Sequence, residues 1–472
     1  MLNASPDPEI WKADALSMYQ RLLPAEFFHR LQKEAQARQN NRVYALPVVM
    51  WLMIQQRLTS NSSLQSAVLE LMGGLPASFW PRPCKRLQDG RQSQSPLSSH
   101  TGAYNKARQA LPLTVVEQSC DRMFEQLTTL TEGNVAALGR RVFFLDGTSV
   151  RLAHSEELRQ LYPPGSNLHG ESHWPLLRML VAHDLQTGLA MRPQWGAMHG
   201  PHAVSEQELL EVAIDRLPSG SVVAGDANFG VFSVAYAAEQ HSHPVLLRLT
   251  VQRAQRLAGG PLHDGTDRPI VWKPSRDDRK SHPGLPEDAC VRGRLIVCQV
   301  QPSDTTAPFL LALFTALQTG RDEVLKLYGQ RWNIETDLRA LKSTLQLDQL
   351  SCATPEMVAK ELNLAIAAYN LVRAVAYLAS QQTGIPPRSY SFTRVRNVIR
   401  TFAPLIAASS DPHQTQQYVQ KMMYYVLQAK LPKRKRKRLT YPRAVWHKGQ
   451  SFPNRKAYLH GTKIHISKSM WH

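Results

Sequence analysis

The sequence predicts an α/β protein in which a mixed sheet with helices is flanked by a helical region at each end of the chain. Three patterns predict it. Apolar residues recur at helical spacing over about the first 130 residues, strands and helices alternate from Arg141 to Thr250, and helical spacing returns near Pro355. A chain of 472 residues also exceeds one ordinary core, so about two to four domains are expected.

The charge balance indicates a polyanionic partner. Lysine and arginine total 56 against 37 aspartates and glutamates, which gives a net charge of +19 and a pI near 9.9. This excess favours nucleic acid over two alternatives, a ribosome-associated protein and a peripheral membrane protein. The hydrophobic share of 43% excludes a wholly disordered chain.

Cysteine usage and the apolar segments indicate a cytoplasmic protein. The five cysteines are scattered and show no zinc-ligand spacing, so neither a disulfide framework nor a structural zinc site is predicted. The N-terminus lacks the layout of a signal peptide, and the most apolar run, residues 44–54, is too short to span a bilayer. We expect a cytoplasmic protein with no membrane partner and no small-molecule substrate.

The N-terminal region is predicted to be helical, with a polar loop at residues 81–101 and a long helix after it. Lys106 and Arg108 give that helix a modest basic face. Two interpretations of this region are possible: a DNA-binding module or a structural helical subdomain.

The central region is predicted to have the order β-β-β-α-β-α-β. Its first strand is expected to end at Asp146 and its fourth at Asp226. In open α/β sheets, functional groups collect at the carboxyl ends of strands. Because we infer that these two strands are neighbours, the two aspartates are expected to lie together.

A polar segment rich in proline and glycine follows Thr250 and contains strand-like pieces, which predicts a β-rich insertion. A further strand, a helix over residues 328–342 and a long amphipathic helix from Pro355 come next. The C-terminal region carries six consecutive basic residues: Lys433, Arg434, Lys435, Arg436, Lys437 and Arg438. Such runs are usually solvated, but the aromatic residues that follow (Tyr441, Trp446 and Phe452) favour nucleic-acid contact.

Three acidic residues are candidate metal ligands: Asp146, Asp226 and Glu335. Two divalent ions about 3.5–4 Å apart can activate an attacking oxygen and stabilise a leaving oxygen in phosphodiester transfer. Taken singly, each residue has an ordinary alternative. Asp146 and Asp226 could open turns, and Glu335 could be an exposed helix glutamate.

The surroundings of Glu335 strengthen the functional interpretation. Tyr328, Arg331 and Lys342 stand at offsets of −7, −4 and +7 from it, so one continuous helix would place all four on one stripe. A carboxylate among cations suits a site where metal and phosphate meet, with the cations gripping phosphate oxygens and the phenol donating to one.

The spacing Tyr328-x2-Arg331-x3-Glu335-x6-Lys342 resembles the YREK motif of insertion-sequence-four family transposases, a branch of the DDE transposases. The stretches around Asp146 (FFLDGTS) and Asp226 (VVAGDANFG) are similar to the first and second aspartate motifs of that family. The resemblance covers roughly residues 141–392 and is vaguer over the N-terminus.

The resemblance implies a ribonuclease H-like catalytic core, a mixed five-stranded sheet with helices, interrupted by a β-rich insertion. It implies cut-and-paste transposition of an insertion sequence, with a DNA hairpin intermediate and strand transfer into target DNA. Asp146, Asp226 and Glu335 would bind two Mg²⁺ ions, for which Mn²⁺ could substitute. The expected partner is double-stranded DNA, both element ends and target, with the protein a homodimer in the synaptic complex.

These expectations divide the chain into five parts. A helical DNA-binding domain takes residues 1–135, and the first part of the catalytic core takes 136–250. The insertion takes 251–307, the second part of the core takes 308–380, and the C-terminal region with its basic tail takes 381–472.

The resemblance also implies DNA contacts. Tyr328, Arg331 and Lys342 would hold phosphates near the cleavage point, with Arg339 on the same predicted helix. Trp272, in the insertion, is the candidate for stacking on a flipped base, with a core position as the equal alternative.

The chain departs from the family pattern after Asp226, where Ala-Asn-Phe-Gly replaces a basic residue followed by glycine. His199 and His202 could approach DNA, but loop histidines are more often merely exposed. Three other functions compete with a transposase: a DNA-binding regulator descended from one, a metal-dependent nuclease of the same fold, and a two-carboxylate glycosidase. The complete acidic set disfavours the regulator, and the charge of +19 disfavours the glycosidase.

Overall fold

The computed structural model describes residues 14–34, 43–59, 63–76, 79–82, 84, 87, 97–134, 139–167, 170–301, 307–409 and 411–432. The basic run from Lys433 to Arg438 and the aromatic residues after it lie outside this set.

Sixteen α-helices are named here, in chain order. They are α1 Ala15–Leu22, α2 Ala25–Glu34, α3 Leu46–Leu58, α4 Leu64–Met72, α5 Gly102–Ala110, α6 Leu113–Leu130, α7 Glu156–Leu161, α8 Glu206–Ala213, α9 Phe232–Gln240, α10 Val251–Ala258, α11 Arg276–Ser281, α12 Arg321–Gly329, α13 Trp332–Arg339, α14 Pro355–Thr383, α15 Phe392–Ala408 and α16 Pro412–Leu427.

The strands form one large sheet and one short hairpin. They are β1 Val142–Arg151, β2 Ser166–Asn167, β3 Gly170–Glu171, β4 Leu176–Asp184, β5 Gln194–Ala197, β6 Val222–Gly225, β7 Val245–Leu249, β8 Asp267–Trp272, β9 Val291–Val300 and β10 Phe309–Thr315. The large sheet has the order β5-β4-β1-β6-β7-β10-β9-β8, and β2 pairs with β3. Within it β1, β6 and β7 run parallel, and each other neighbouring pair is antiparallel.

The sheet is wider than the five strands expected from the sequence. Strands β5, β4, β1, β6 and β7 make up the five-stranded part, and β10 extends it. The two strands of the insertion, β8 and β9, continue the same sheet through β9–β10 pairing. The described strands of the insertion therefore extend the mixed sheet.

The first strand also runs further than predicted. It was expected to end at Asp146, but β1 continues to Arg151 because β4 pairs with it along its whole length. On the other side, β6 pairs with β1 only as far as Phe144. Asp146 consequently lies in mid-strand, just where the parallel pairing stops.

The N-terminal helices form where the apolar spacing predicted them, with one difference. The helix expected after the loop is two helices, α5 and α6, which Leu111 and Pro112 separate. Proline lacks the N–H that a helix interior needs, so the chain turns there. The predicted basic face is also smaller, since Lys106 is exposed while Arg108 is buried and bound to Glu361.

The long helix α14 is the centre of the molecule. It was predicted to be amphipathic, but it is buried on all sides between the N-terminal helices and the sheet. Among the described helices it alone is long and apolar enough to cross a membrane, and its most apolar window is wholly buried in the structure. Its polar residues are paired: Lys360 Nζ contacts Glu356 Oε1 at 2.8 Å, and the Asn370 amide bonds both backbone groups of Ala190 at 2.8 Å.

Candidate active site

Two aspartates meet at the centre of the large sheet. The parallel register joins Val142 to Val222 and Phe144 to Ala224, a constant offset of 80. The pairing ends there, and two residues further along lie Asp146, still in β1, and Asp226, in the loop directly after β6, close enough for the charge of Asp226 to raise the pKa of Asp146. Both side chains are half-buried. The expected meeting of these two residues at the end of neighbouring strands is thus a consequence of parallel strand pairing.

Backbone hydrogen bonds fix both carboxylates. Asp146 Oδ1 accepts from the Gly147 N–H at 2.9 Å, and Asp226 Oδ1 accepts from the Asn228 N–H at 2.8 Å. The Asp226 carbonyl also accepts from the N–H groups of Phe229 and Gly230, both at 3.1 Å. The loop after β6 therefore holds Asp226 by its side chain and its backbone.

The electrostatics of Asp146 show how closely the acids are packed. Burial, together with the charges of Asp226 and Glu206, raises the pKa of Asp146 to about 6, although the Gly147 N–H and Arg331 act to lower it. Neighbouring carboxylates oppose each other's ionisation, and a cation between them would relieve that cost.

Glu335 is not part of this pair. It lies on α13, where its Oε1 stands 3.5 Å from Arg331 Nη2, and its side chain is 40% exposed. Among the described residues, no group of three Asp, Glu, His or Cys side chains is arranged to hold a metal ion. The structure therefore brings Asp146 and Asp226 together and leaves Glu335 bound to its own helix neighbour.

The helix that carries the tyrosine, arginine, glutamate and lysine is broken, contrary to the single helix predicted. α12 ends at Gly329 and α13 begins at Trp332, with tight hydrogen bonds between them, such as Arg331 N to Tyr328 O at 2.9 Å. Glycine is a weak helix former, which favours a break there. Beyond α13, Lys342 lies in a π-helical segment, Ala340–Thr344, so it is not fixed to the face of Glu335.

Tyr328 is buried, 5% exposed, with its ring centroid 6.2 Å from that of Phe144. Its Oη has no hydrogen-bond partner within the described part of the chain. Burial, opposed by the charges of Arg331 and Arg248 and assisted by that of Asp226, raises the pKa of Tyr328 to about 12. The phenol is thus an unused hydroxyl within range of the charge of Asp226.

The other predicted DNA contacts differ in accessibility. Arg339 is exposed and Lys342 is half-buried, and neither forms an ion pair with any described residue. Trp272 is 4% exposed and packs edge-on against Phe314 and Phe232, with ring centroids 4.9 and 6.2 Å away. A DNA base could reach it only by displacing that core, so its DNA contact is corrected to the core alternative.

Three residues near the aspartates were missed at the sequence level. Trp332, at the start of α13, is 65% exposed, and the Arg331 guanidinium lies 5.2 Å from its ring centroid. Arg248 lies in β7, one residue beyond Leu247, the partner of Gly225 at the end of β6, and both its charge and that of Asp226 act on Tyr328. Glu206 begins α8 and hydrogen-bonds Asn228.

Only one of these three gives a usable signal in the sequence. An arginine in an otherwise apolar strand, as in PVLLRLT, is unusual and points to Arg248. An acidic residue in the first turn of a helix is ordinary, so nothing singles out Glu206. The exposure of Trp332 depends on the helix break, which the pattern did not predict.

Comparison with known proteins identifies the family. The model of the family "Transposase DDE domain" matches residues 137–371, a span that contains both aspartates and Glu335. A relative from Escherichia coli (strain K12), "Transposase InsG for insertion sequence element IS4", is 24% identical over 324 residues, which are 67% of this chain and 70% of the relative. The chain belongs to the insertion-sequence-four family of DDE transposases.

A solved structure, "Cryo-EM structure of piggyBac transposase synaptic complex with hairpin DNA (SNHP)", aligns with 89% of this transposase and 87% of that chain, at 10% identity and a TM-score of 0.40. That score is too low to establish a shared fold.

The donor chemistry of the site fits the divalent metals that DDE transposase domains use. Two opposed carboxylates supply the oxygen ligands that hard cations prefer. The charge of Asp226 acts on Asp146, whereas Glu335 is paired with Arg331.

Proposed function

We propose that this transposase performs cut-and-paste transposition of an insertion sequence, with Asp146, Asp226 and Glu335 as its catalytic residues. The observation that supports the proposal is the parallel pairing of β1 with β6, which leads both strands to an aspartate, Asp146 within β1 and Asp226 directly after β6, whose charge acts on Asp146. When bound, two Mg²⁺ ions would activate the attacking oxygen and stabilise the leaving oxygen of the phosphodiester. The intact acidic set favours an active enzyme over a DNA-binding regulator.

The chain's own part in this chemistry is to hold the DNA phosphate beside the two aspartates. Arg331 and Arg248 lie within electrostatic range of Tyr328, on the side where Asp226 lies. Their guanidinium groups would bind phosphate oxygens, and Tyr328 Oη, which has no partner in the described part of the chain, would donate to one. Arg339 and Lys342 would extend the cationic surface along the strand.

Glu335 would join the aspartates as DNA binds. In the present structure Arg331 is its ionic partner, at 3.5 Å. A phosphate bound by Arg331 would compete for the guanidinium and free the carboxylate. Trp332 presents an exposed ring beside Arg331 and would stack on a base near the cleavage point.

The remaining parts of the proposal follow from the family resemblance. They are a hairpin intermediate, a homodimer that brings two element ends together, double-stranded DNA as substrate and target, and a cytoplasmic location on the nucleoid. The basic run at Lys433–Arg438 would add non-specific phosphate contacts.

Cleavage and joining of DNA that carries the element ends, in the presence of Mg²⁺, test the proposal. Asp226→Ala should reduce end cleavage by about 10³-fold or more, because it removes one of two opposed carboxylates. Asp215→Ala, an exposed aspartate at the other end of β6, is the matched control and should cleave like wild type. Equal cleavage by wild type and Asp226→Ala would refute the catalytic assignment, and cleavage without joining would identify a nuclease.

A further inference from the structure

Glu206 is a carboxylate beside the two catalytic aspartates that has no place in the proposed chemistry. It is half-buried at the first position of α8, a helix whose start is fixed by a capping box between Ser205 and Glu208. Ser205 Oγ accepts from the Glu208 N–H at 3.1 Å, and Glu208 Oε2 accepts from the Ser205 N–H at 2.6 Å. Glu206 therefore projects from a fixed helix end.

A chain of hydrogen bonds runs from Glu206 to Asp226. Asn228 Nδ2 donates to Glu206 Oε2 at 2.6 Å, and the Asn228 N–H donates to Asp226 Oδ1 at 2.8 Å. The neighbouring Gln207 Nε2 donates to Asn228 O at 2.6 Å and to its Oδ1 at 3.0 Å. Asn228 is thus held by α8 while its backbone holds the catalytic carboxylate.

The position of Glu206 also explains why the residue after Asp146 is glycine. A Cβ added to Gly147 would lie 1.9 Å from Glu206 Oε1 and 2.2 Å from its Cδ, so the carboxyl group occupies the space that a side chain would take. It forms no ion pair with any described residue. The same carboxylate therefore packs against the Asp146 strand and anchors the Asp226 loop.

A second observation concerns Tyr328, which is within range of the charge of Asp226. Tyr328 is 5% exposed, and its Oη has no partner in the part of the chain that the structure describes. A buried hydroxyl without a partner costs free energy, which a bound ligand would recover.

We propose that Glu206 is a positioning residue for the catalytic aspartates, which acts on Asp226 through Asn228 and on Asp146 by packing over Gly147. This inference rests on the proposed function, since it assigns Glu206 to the same acidic centre. It also gives a role to the Ala-Asn-Phe-Gly stretch, where the chain departs from the family pattern. Asparagine at position 228 supplies both donors of the hydrogen-bond chain.

Mn²⁺ binding to the DNA-free full-length protein, followed by electron paramagnetic resonance of the free ion, tests the role without relying on activity. Glu206→Ala and Asn228→Ala should each weaken Mn²⁺ affinity by about tenfold, the size expected when a residue that orients a ligand is lost. The double variant should be no more than about twofold weaker than either single one, because both changes break one chain of bonds. Glu206→Gln should stay within about threefold of wild type, since its amide oxygen still accepts from Asn228.

Glu211→Ala, an exposed glutamate on the same helix, is the matched control and should bind Mn²⁺ like wild type. Asp226→Ala separates the two proposals. If it abolishes Mn²⁺ binding while Glu206→Ala does not change it, the role of Glu206 is refuted and the proposed function stands. If Asp226→Ala has no effect either, both are refuted. A loss in Glu206→Gln as large as in Glu206→Ala would also overturn positioning through Asn228.

Discussion

The guanidinium of Arg331 lies 3.5 Å from the carboxylate of Glu335, one helical turn away, and the two side chains form an ion pair. The pair is partly exposed, at 19% and 40%, and such pairs contribute little to stability. Its importance is that a DNA phosphate and Glu335 compete for the same arginine.

When EDTA removes divalent metal ions, substitutions of Arg331 and Glu335 should therefore have different effects on DNA binding. Arg331→Ala should weaken binding of element-end DNA by about tenfold, because a phosphate contact is lost. Glu335→Gln should bind at least as tightly as wild type, because the competing carboxylate charge is gone. Fluorescence anisotropy with a labelled duplex measures both. Equal weakening by the two variants would show that Glu335 does not compete with DNA.

Arg248 should contribute one phosphate contact. It lies in β7 one residue beyond the partner of Gly225, its guanidinium is 5.6 Å from the ring centroid of Phe309, and no described carboxylate pairs with it. Arg248→Ala should reduce the slope of log affinity against log salt by about 0.9, the value for one lost contact on duplex DNA. Arg140→Ala, exposed just before β1 at the other end of that strand, should leave the slope unchanged. An unchanged slope in Arg248→Ala would exclude the contact.

The two tryptophans should behave in opposite ways. Trp332→Ala should weaken DNA binding by about 1–3 kcal/mol, as loss of a stacking aromatic does, and leave the unfolding midpoint unchanged. Trp272→Ala should lower the free energy of unfolding by about 3–5 kcal/mol, because it empties a space between Phe314 and Phe232. Urea unfolding measures the stability of both variants and fluorescence anisotropy measures their DNA binding, and together they show which tryptophan contacts DNA. A stable Trp272→Ala protein with impaired DNA binding would restore Trp272 as a DNA contact.

The pairing of Asp146 with Asp226 was predictable because it depends on local signals. Two short apolar strands each lead to an aspartate, and parallel strands that are neighbours bring such ends together. The helices α3 and α4 were predictable for the same reason, since apolar spacing is a local property.

What could not be predicted depends on contacts between distant segments. Glu206 and Asn228 meet only because α8 packs beside the loop after β6, and nothing near either residue signals that contact. The sequence left a base contact and a core position as equal alternatives for Trp272, and the choice depends on β8 joining the large sheet, where Trp272 is buried. Because the helix breaks between α12 and α13, the shared face that was predicted for one straight helix does not form.

A buried ion-pair group should make the stability of the protein sensitive to acid. Glu361 on α14 accepts from Arg57 on α3 and Arg108 on α5, and its side chain is 15% exposed. Burial alone would raise the pKa of Glu361, but the two guanidinium groups hold it below its ordinary value. The depressed pKa means that this stabilisation is present above the pKa of an unfolded glutamate, about 4.3, and is lost as pH falls through the folded value.

Glu361→Gln should accordingly lower the free energy of unfolding by about 3–5 kcal/mol at pH 7, because it leaves two buried guanidinium groups without their carboxylate. The difference from wild type should narrow as pH falls below about 4.3, because Glu361 of the unfolded wild-type chain takes up a proton there while the folded protein does so only at its lower pKa. Urea unfolding of both proteins at pH 7, 5, 4 and 3 measures this difference in the free energy of unfolding. Glu125→Gln, an exposed glutamate on α6, should match wild type at each pH. A difference between Glu361→Gln and wild type that stays constant down to pH 3 would show that the charge of Glu361 does not hold the N-terminal helices to α14.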